Sequence, residues 1–224
     1  MDIFRQHEIY EIEVLDKMNS IRALDPLVFS GGTMLRLCHE LNRYSIDLYF
    51  WFIKNVAQHE YFEKIQRELK NDYEITDSQM KHHTILLELR SSLHPKRLKI
   101  EIRREVKDCD YQEKIAFSKF STRQVLLKAH TLNQMMQNKI AAFLDRGEIR
   151  DCFDIEFLLR RGIALPANIG DVAVGFRNKL SGFKEIDFKV KLGSIVESET
   201  REYYATIRFS YLEEKLTSSL NSVF

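Results

Sequence analysis

Between residues 2 and 22 apolar side chains fall at Ile9, Ile12, Leu15, Met18 and Ile21, close to the 3.6-residue period of a helix with one buried face. The short apolar run "PLVFS" then predicts a strand that delivers the chain to Gly31. "TMLRLCHEL" combines good helix formers with Leu35, Leu37, Cys38 and Leu41 to bury, and Asn42 and Arg43 end it. "SIDLYFWF" is β-branched and aromatic, which predicts a second strand. A charged helix over 54–71 follows, and then strand patterns at "TILLELR", "RLKIEIRRE" and "STRQVLLKA". Their succession suggests antiparallel neighbours in a meander. From Thr131 the period turns helical through "TLNQMMQNKIAAFLD", with Arg146-Gly147 as a stop, and through "IRDCFDIEFLLRR", with Gly162 as the next. The remainder alternates helical and short extended pieces and ends in "YLEEKLTSSLNSVF".

The pattern therefore reads α+β over residues 1–130, with a mainly helical segment over 131–224. Scarce Gly (8) and Pro (3) favour well-ordered elements and argue against low-complexity linkers. A net charge of +1 makes no global demand for a nucleic acid or a membrane, so any such surface is a local patch. The three cysteines, Cys38, Cys109 and Cys152, lack the spacing of a zinc or redox site and read as buried reduced thiols. The charged N-terminus has no signal-peptide core, and no run approaches the length of a membrane helix. A cytoplasmic protein with no membrane partner is expected.

Chemistry gathers in three places. Gly31 and Gly32 before a helix let backbone N–H groups approach an anion, the helix end adds partial positive charge, and Thr33 adds a hydroxyl. A tight strand-to-helix turn would use the same glycines. Strand alternation then puts Asp47, Tyr49 and Trp51 on one face, and an Asp so placed suits Mg²⁺, which takes hard oxygen ligands together with substrate phosphates. In "RLKIEIRRE" Lys99, Glu101 and Arg103 share a face, on which Glu101 can join Asp47 if the strands belong to one sheet. A water-facing edge strand would look the same. Lys139 lies mid-helix in the apolar "KIAAFL", and Asp151 and Asp154, three apart, share a face of the next helix beside Arg150. Surface salt bridges or a snorkelling lysine are the plainer alternatives.

Three segments together resemble the AbiEii/AbiGii-type nucleotidyltransferases, toxin components of bacterial toxin–antitoxin systems. They are "FSGGTMLRLCHELNRYSIDLYF", "LKIEI" and "NKIAAFLDRGEIRDCFDIEFLLRRG". The first is similar to the family's Gly-Gly-Thr helix followed by Arg-x-Ser-x-Asp-x-Asp, and the last to its Lys-x-x-Ala, Arg-Gly and Arg-Asp-x-x-Asp run. The resemblance covers about residues 28 to 162. It implies that Gly31, Gly32 and Thr33 hold a nucleoside triphosphate and that Ser45 lines the site. It also implies that Asp47 binds Mg²⁺, that Lys139 contacts phosphates, and that Asp154 completes the catalytic set with Asp151 near it. Glu101 is the candidate for a further metal-binding carboxylate. The implied reaction transfers a nucleoside monophosphate from an NTP to an acceptor hydroxyl. RNA or tRNA is the implied acceptor, and a cognate antitoxin the implied partner.

One position departs from the pattern: Tyr49 stands where the family has the second Asp of Asp-x-Asp. A phenol is a poor Mg²⁺ ligand beside a carboxylate. A single-metal enzyme, a member that binds nucleotide or RNA with weakened catalysis, and a decayed toxin all fit that substitution. An interaction protein using its helical half is the reading from a different class. Lys96, Arg97, Lys99, Arg103, Arg104 and Lys107 surround Glu101 and offer either a phosphate-contacting patch or a solvated strand face.

Overall fold

The computed structural model describes residues 3–221, which form two compact units. The first comprises the chain to Thr131 apart from Leu41–Arg43; the second comprises Leu41–Arg43 and the chain from Leu132 onward. The three C-terminal residues of "YLEEKLTSSLNSVF" lie outside the described residues.

In the first unit α1 (Ile3–Ser20) precedes β1 (Leu27–Ser30), α2 (Gly31–His39), β2 (Asp47–Phe52) and α3 (Gln58–Leu69). Five strands follow: β3 (Glu74–Met80), β4 (Thr84–Arg90), β5 (Leu98–Arg103), β6 (Tyr111–Phe117) and β7 (Gln124–His130). All seven join one mixed sheet in the order β3-β4-β5-β2-β1-β7-β6. The β2–β5 and β1–β7 pairs are parallel and the others antiparallel. The fold class is thus α+β with a mixed sheet. Leu48, Phe50, Phe52, Leu98, Ile100 and Ile102 are buried on one side of the central strands. Phe29 stacks on Phe50 at 5.0 Å, and Tyr61 of α3 meets Phe52 edge-on at 5.2 Å, so strand alternation sends the apolar face to the core.

β4 and β5 pair antiparallel, as their succession suggests, but β7 does not extend that meander: it lies parallel to β1 and antiparallel to β6. The hydrophobic pattern did not reveal β3 or β6. Both are edge strands, and β6 buries only Ala116, so neither needed the apolar alternation that marks a half-buried strand. The helix expected over 54–71 is shorter, Gln58–Leu69. Helix α1 ends at Ser20, and its buried face holds His7, Glu8 and Glu11 beside the apolar residues. That polar content is invisible to a hydrophobic period.

The second unit is helical: α4 (Leu132–Arg146), α5 (Ile149–Arg160), α6 (Ala173–Ser181), α7 (Ser198–Ile207) and α8 (Ser210–Asn221). A 3₁₀ turn at Ala167–Val172 and a π-helical turn at Asp187–Leu192 join them. Gly147 adopts φ +68° between α4 and α5, a left-handed conformation that ends a helix cheaply only without a side chain. The core is aromatic. Phe143 packs on Phe176 (4.6 Å), Phe188 on Phe209 (5.5 Å), and Tyr204 on both Phe209 (5.3 Å) and Phe153 (5.0 Å). Leu41–Arg43 joins this unit through a bridge between Arg43 and Val196.

Candidate active site

β1 runs extended to Ser30, and the chain turns into α2 at Gly31 with φ +81°. The left-handed φ of Gly31 disfavours a side chain there, and a Cβ would also lie a tight 3.3 Å from Cβ of Tyr49. Thr33 is fully buried, and its Oγ1 donates to the backbone oxygen of Asp47 at 2.7 Å. The hydroxyl therefore ties the glycine turn to the first residue of β2. Gly31, Gly32, Ser45 and Asp47 are all partly exposed.

The parallel register of β2 and β5 sets Asp47 beside Lys99, Tyr49 beside Glu101 and Trp51 beside Arg103. Asp47 and Glu101 therefore share a face as diagonal neighbours, with Cα atoms about 8 Å apart from strand spacing and rise. Ser30 pairs with Tyr49 on the other side, and His130 Nδ1 lies 2.9 Å from Ser30 Oγ. A row of polar side chains, Glu101, Tyr49, Ser30 and His130, thus crosses four strands. Burial lowers the His130 pKa to about 4, so the ring is neutral at pH 7. Its edge meets Trp51 at 4.7 Å, while the Arg103 guanidinium lies 4.7 Å over Trp51.

Helix α1 anchors the segment before Asp47: His7 Nε2 lies 2.9 Å from the Ile46 oxygen. Glu8 is ion-paired to Arg36 of α2 and accepts from Ser118 Oγ at 2.6 Å. Glu11 is fully buried, with His7 Nε2 at 3.6 Å, and among the described residues neither of its oxygens accepts a hydrogen bond. Burial, reinforced by the charges of Glu8 and Asp47, pushes its pKa well above the ordinary carboxyl value. Sequence reasoning missed this cluster because nothing in a helical period marks a charged residue as buried.

In the second unit Lys139 of α4 is buried, and its Nζ lies 2.6 Å from Asp154 and 3.1 Å from Asp151, both on α5. Arg146 binds Asp151 at 2.7 and 2.8 Å. Arg43 grips Asp154 with two parallel bonds, Nε–Oδ1 and Nη2–Oδ2, each 2.6 Å. Burial works against the Asp154 carboxylate, yet Arg43 and Lys139 beside it outweigh that and hold its pKa below the usual value. Two carboxylates and three cations are packed together here, which leaves the cluster one positive charge in excess. The i,i+3 spacing of Asp151 and Asp154 was legible; Arg43 was not singled out, although it is the arginine of the Arg-x-Ser-x-Asp run.

The basic residues around Glu101 have mostly local partners. Lys96 lies 4.5 Å over Phe4, and Arg97 pairs with Glu88 at 2.7 Å. Arg103 pairs with Glu105, and Arg104 donates to Gln58 at 2.8 Å and to the Lys81 oxygen at 2.7 Å. Lys99 and Lys107 are exposed. Cys38, Cys109 and Cys152 are free thiols. Among the described residues no three His, Cys, Asp or Glu side chains gather to enclose a metal ion, and no helix is long and apolar enough to cross a membrane.

The family model for the nucleotidyl transferase AbiEii toxin of type IV toxin–antitoxin systems matches residues 15–217. The chain belongs to this family. AbiEii membership makes it a nucleotidyltransferase-family toxin chain, and the glycine turn, β2 and the Lys139–Asp154 cluster all lie within the match. Among solved structures it is similar to JHP933 from Helicobacter pylori, at 18% identity, with 96% of each chain covered and a TM-score of 0.55. A second H. pylori protein, provisionally assigned as a nucleotidyltransferase, is similar at 19% identity over 94% of this chain and 96% of that one, with a TM-score of 0.57. These likenesses extend the nucleotidyltransferase fold over nearly the whole chain. The nucleotidyltransferase toxin MenT4 of Mycobacterium tuberculosis is more distant, at 16% identity over 92% of this chain and 85% of that one, with a TM-score of 0.49. No curated protein matches the sequence.

Proposed function

We propose that this AbiEii chain is a Mg²⁺-dependent enzyme that transfers a nucleoside monophosphate from an NTP to an RNA acceptor, tRNA included. The observation that carries the reading is the union of a side-chain-free turn at Gly31, opening α2, with Asp47 and Glu101 on one face of adjacent strands. Backbone N–H groups at a helix start suit phosphates, and two carboxylates plus phosphate oxygens suit Mg²⁺. When bound, the metal would neutralise charge developing on the transferred phosphoryl group.

In the proposed step an acceptor hydroxyl oxygen bonds to the α-phosphorus, the bond from that phosphorus to the bridging oxygen breaks, and pyrophosphate leaves. The hydroxyl proton passes to a base. Gly31 and Gly32 position the triphosphate, and Thr33 holds the turn to β2 through the Asp47 backbone. Ser45 lines the same loop. Lys139 commits two of its three donors to Asp151 and Asp154, and the third is assigned to a phosphate. Asp154 then acts by orienting Lys139. The excess positive charge of that cluster favours an anionic ligand. Cytoplasmic action and control by a cognate antitoxin accompany the proposal.

Incubation with each labelled NTP, Mg²⁺ and total RNA tests it: label should appear on RNA and vanish with chelator. Label on no RNA at any Mg²⁺ concentration would sink it. A second reading, a nucleotide- or RNA-binding member with weakened catalysis, is favoured by Tyr49 standing beside Glu101 in strand register. Tight NTP binding without pyrophosphate release would support that one.

A further inference from the structure

The second unit carries a cavity of about 460 Å³ that is separate from the Lys139–Asp154 cluster in its lining residues. Its walls include Asn42, Phe157, Arg160, Arg161, Thr200 and Tyr203. Arg160, the last residue of α5, and Arg161, which follows it, face the cavity together with aromatic rings, and its polar groups are neutral apart from those arginines and one glutamate.

The wall is stiffened from behind. Glu156 is fully buried, and its Oε1 accepts from Arg160 (3.1 and 2.9 Å) and from the Tyr204 hydroxyl (3.0 Å). Arg160 in turn donates to the Tyr203 hydroxyl at 2.9 Å and lies 4.5 Å over Tyr211. The Tyr203 ring, itself exposed, is thereby held at its polar tip. Arg161 lies 5.2 Å over Phe157. An exposed aromatic ring, a guanidinium nearby, and an amide and a hydroxyl able to donate and accept form the recognition set for an unstacked base and its phosphate.

We propose that this cavity seats one unpaired nucleotide of the acceptor RNA, its base on Tyr203, its phosphate at Arg161, and its edge read by Asn42 and Thr200. This rests on the reading of the acceptor as RNA. The donor triphosphate is a poorer fit: the arginines sit at the C-terminal end of α5, where the helix dipole disfavours concentrated negative charge, and no glycine turn is present. Glu156 already neutralises Arg160, so Arg161 is the guanidinium assigned to the single phosphodiester charge.

The test measures binding of fluorescently labelled single-stranded oligo-A and oligo-U, and in parallel binding of each NTP with Mg²⁺, to the full-length chain and three variants. Tyr203→Ala and Arg161→Ala should each weaken RNA binding about tenfold, Tyr203→Phe should retain it, and all should bind NTP like the wild type. Melting temperatures confirm folding of these surface variants. If the wild type binds RNA and the variants bind it equally well, as a protein-docking cavity would give, the subsite is overturned and the proposed activity stands. A loss of NTP affinity instead of RNA affinity also overturns it, because the cavity then belongs to the donor. No RNA binding by the wild type overturns both this subsite and the RNA-acceptor reading.

Discussion

Arg43 and Asp154 are 111 residues apart in sequence, yet the guanidinium meets the carboxylate with two parallel bonds of 2.6 Å in a fully buried position. The pair pins the short Leu41–Arg43 segment, which directly follows α2, into the helical unit. It also fixes the carboxylate that holds Lys139.

Breaking this pair should be costly. Arg43→Ala leaves Asp154 buried with Lys139 as its remaining cation and should destabilise the protein by about 3–5 kcal/mol in urea unfolding. Arg43→Lys should recover only part of that loss, because an ammonium cannot reproduce the two-pronged geometry. A midpoint unchanged from wild type in Arg43→Ala would contradict the buried pairing.

Asp47 and Lys139 should separate by their effects on stability. Asp47→Ala removes a partly exposed side chain at a strand end, so transfer activity and growth inhibition should vanish while the melting temperature barely moves. Lys139→Ala also removes the shared cation of two buried carboxylates and should lose activity and several kcal/mol of stability together. A folded Asp47→Ala protein with normal transfer rates would refute the role given to Asp47. A double-mutant cycle on NTP affinity would report whether both residues act on the same ligand.

Tyr49 is the position at which to add a ligand. Tyr49→Asp places a carboxylate next to Glu101 in register and two residues from Asp47 on the same face. Transfer rate and steepness of Mg²⁺ dependence should both rise, by orders of magnitude if catalysis in the present chain is weak. Metal-free stability should fall, because a third carboxylate crowds two others and the tyrosine's packing beside Gly31 is lost. Rates for Tyr49→Asp no higher than wild type across an Mg²⁺ titration would show that the phenol does not occupy a ligand position.

His130 should make the fold acid-sensitive. Its pKa in the folded chain is lowered to about 4, whereas an unfolded histidine titrates near 6.5. The unfolded state therefore binds the proton first: the stabilisation is complete above pH 6.5 and drains away as pH falls toward 4. The loss from this group amounts to about 3 kcal/mol at about 1.4 kcal/mol per unit. His130→Asn should flatten that slope in chemical unfolding between pH 7 and 4, and an unchanged slope would assign it elsewhere.

Local sequence determined the elements that carry a strong period or strong punctuation. Gly31 and Gly32 marked the start of α2, "DLYFWF" read as a strand with Leu48, Phe50 and Phe52 on one face, and the spacing of Asp151 and Asp154 put both on one helix face. Those signals are local because backbone geometry repeats over a few residues. Tertiary structure alone decided that β5 and not β7 lies beside β2, since strand partners are chosen by whole-sheet packing that no single segment encodes. It alone placed β3 and β6, whose edge positions free them from apolar alternation. And it alone matched Arg43 to Asp154 and buried Glu11, His7 and His130, because whether a charge finds a partner or is shut away from water depends on segments that sequence leaves far apart.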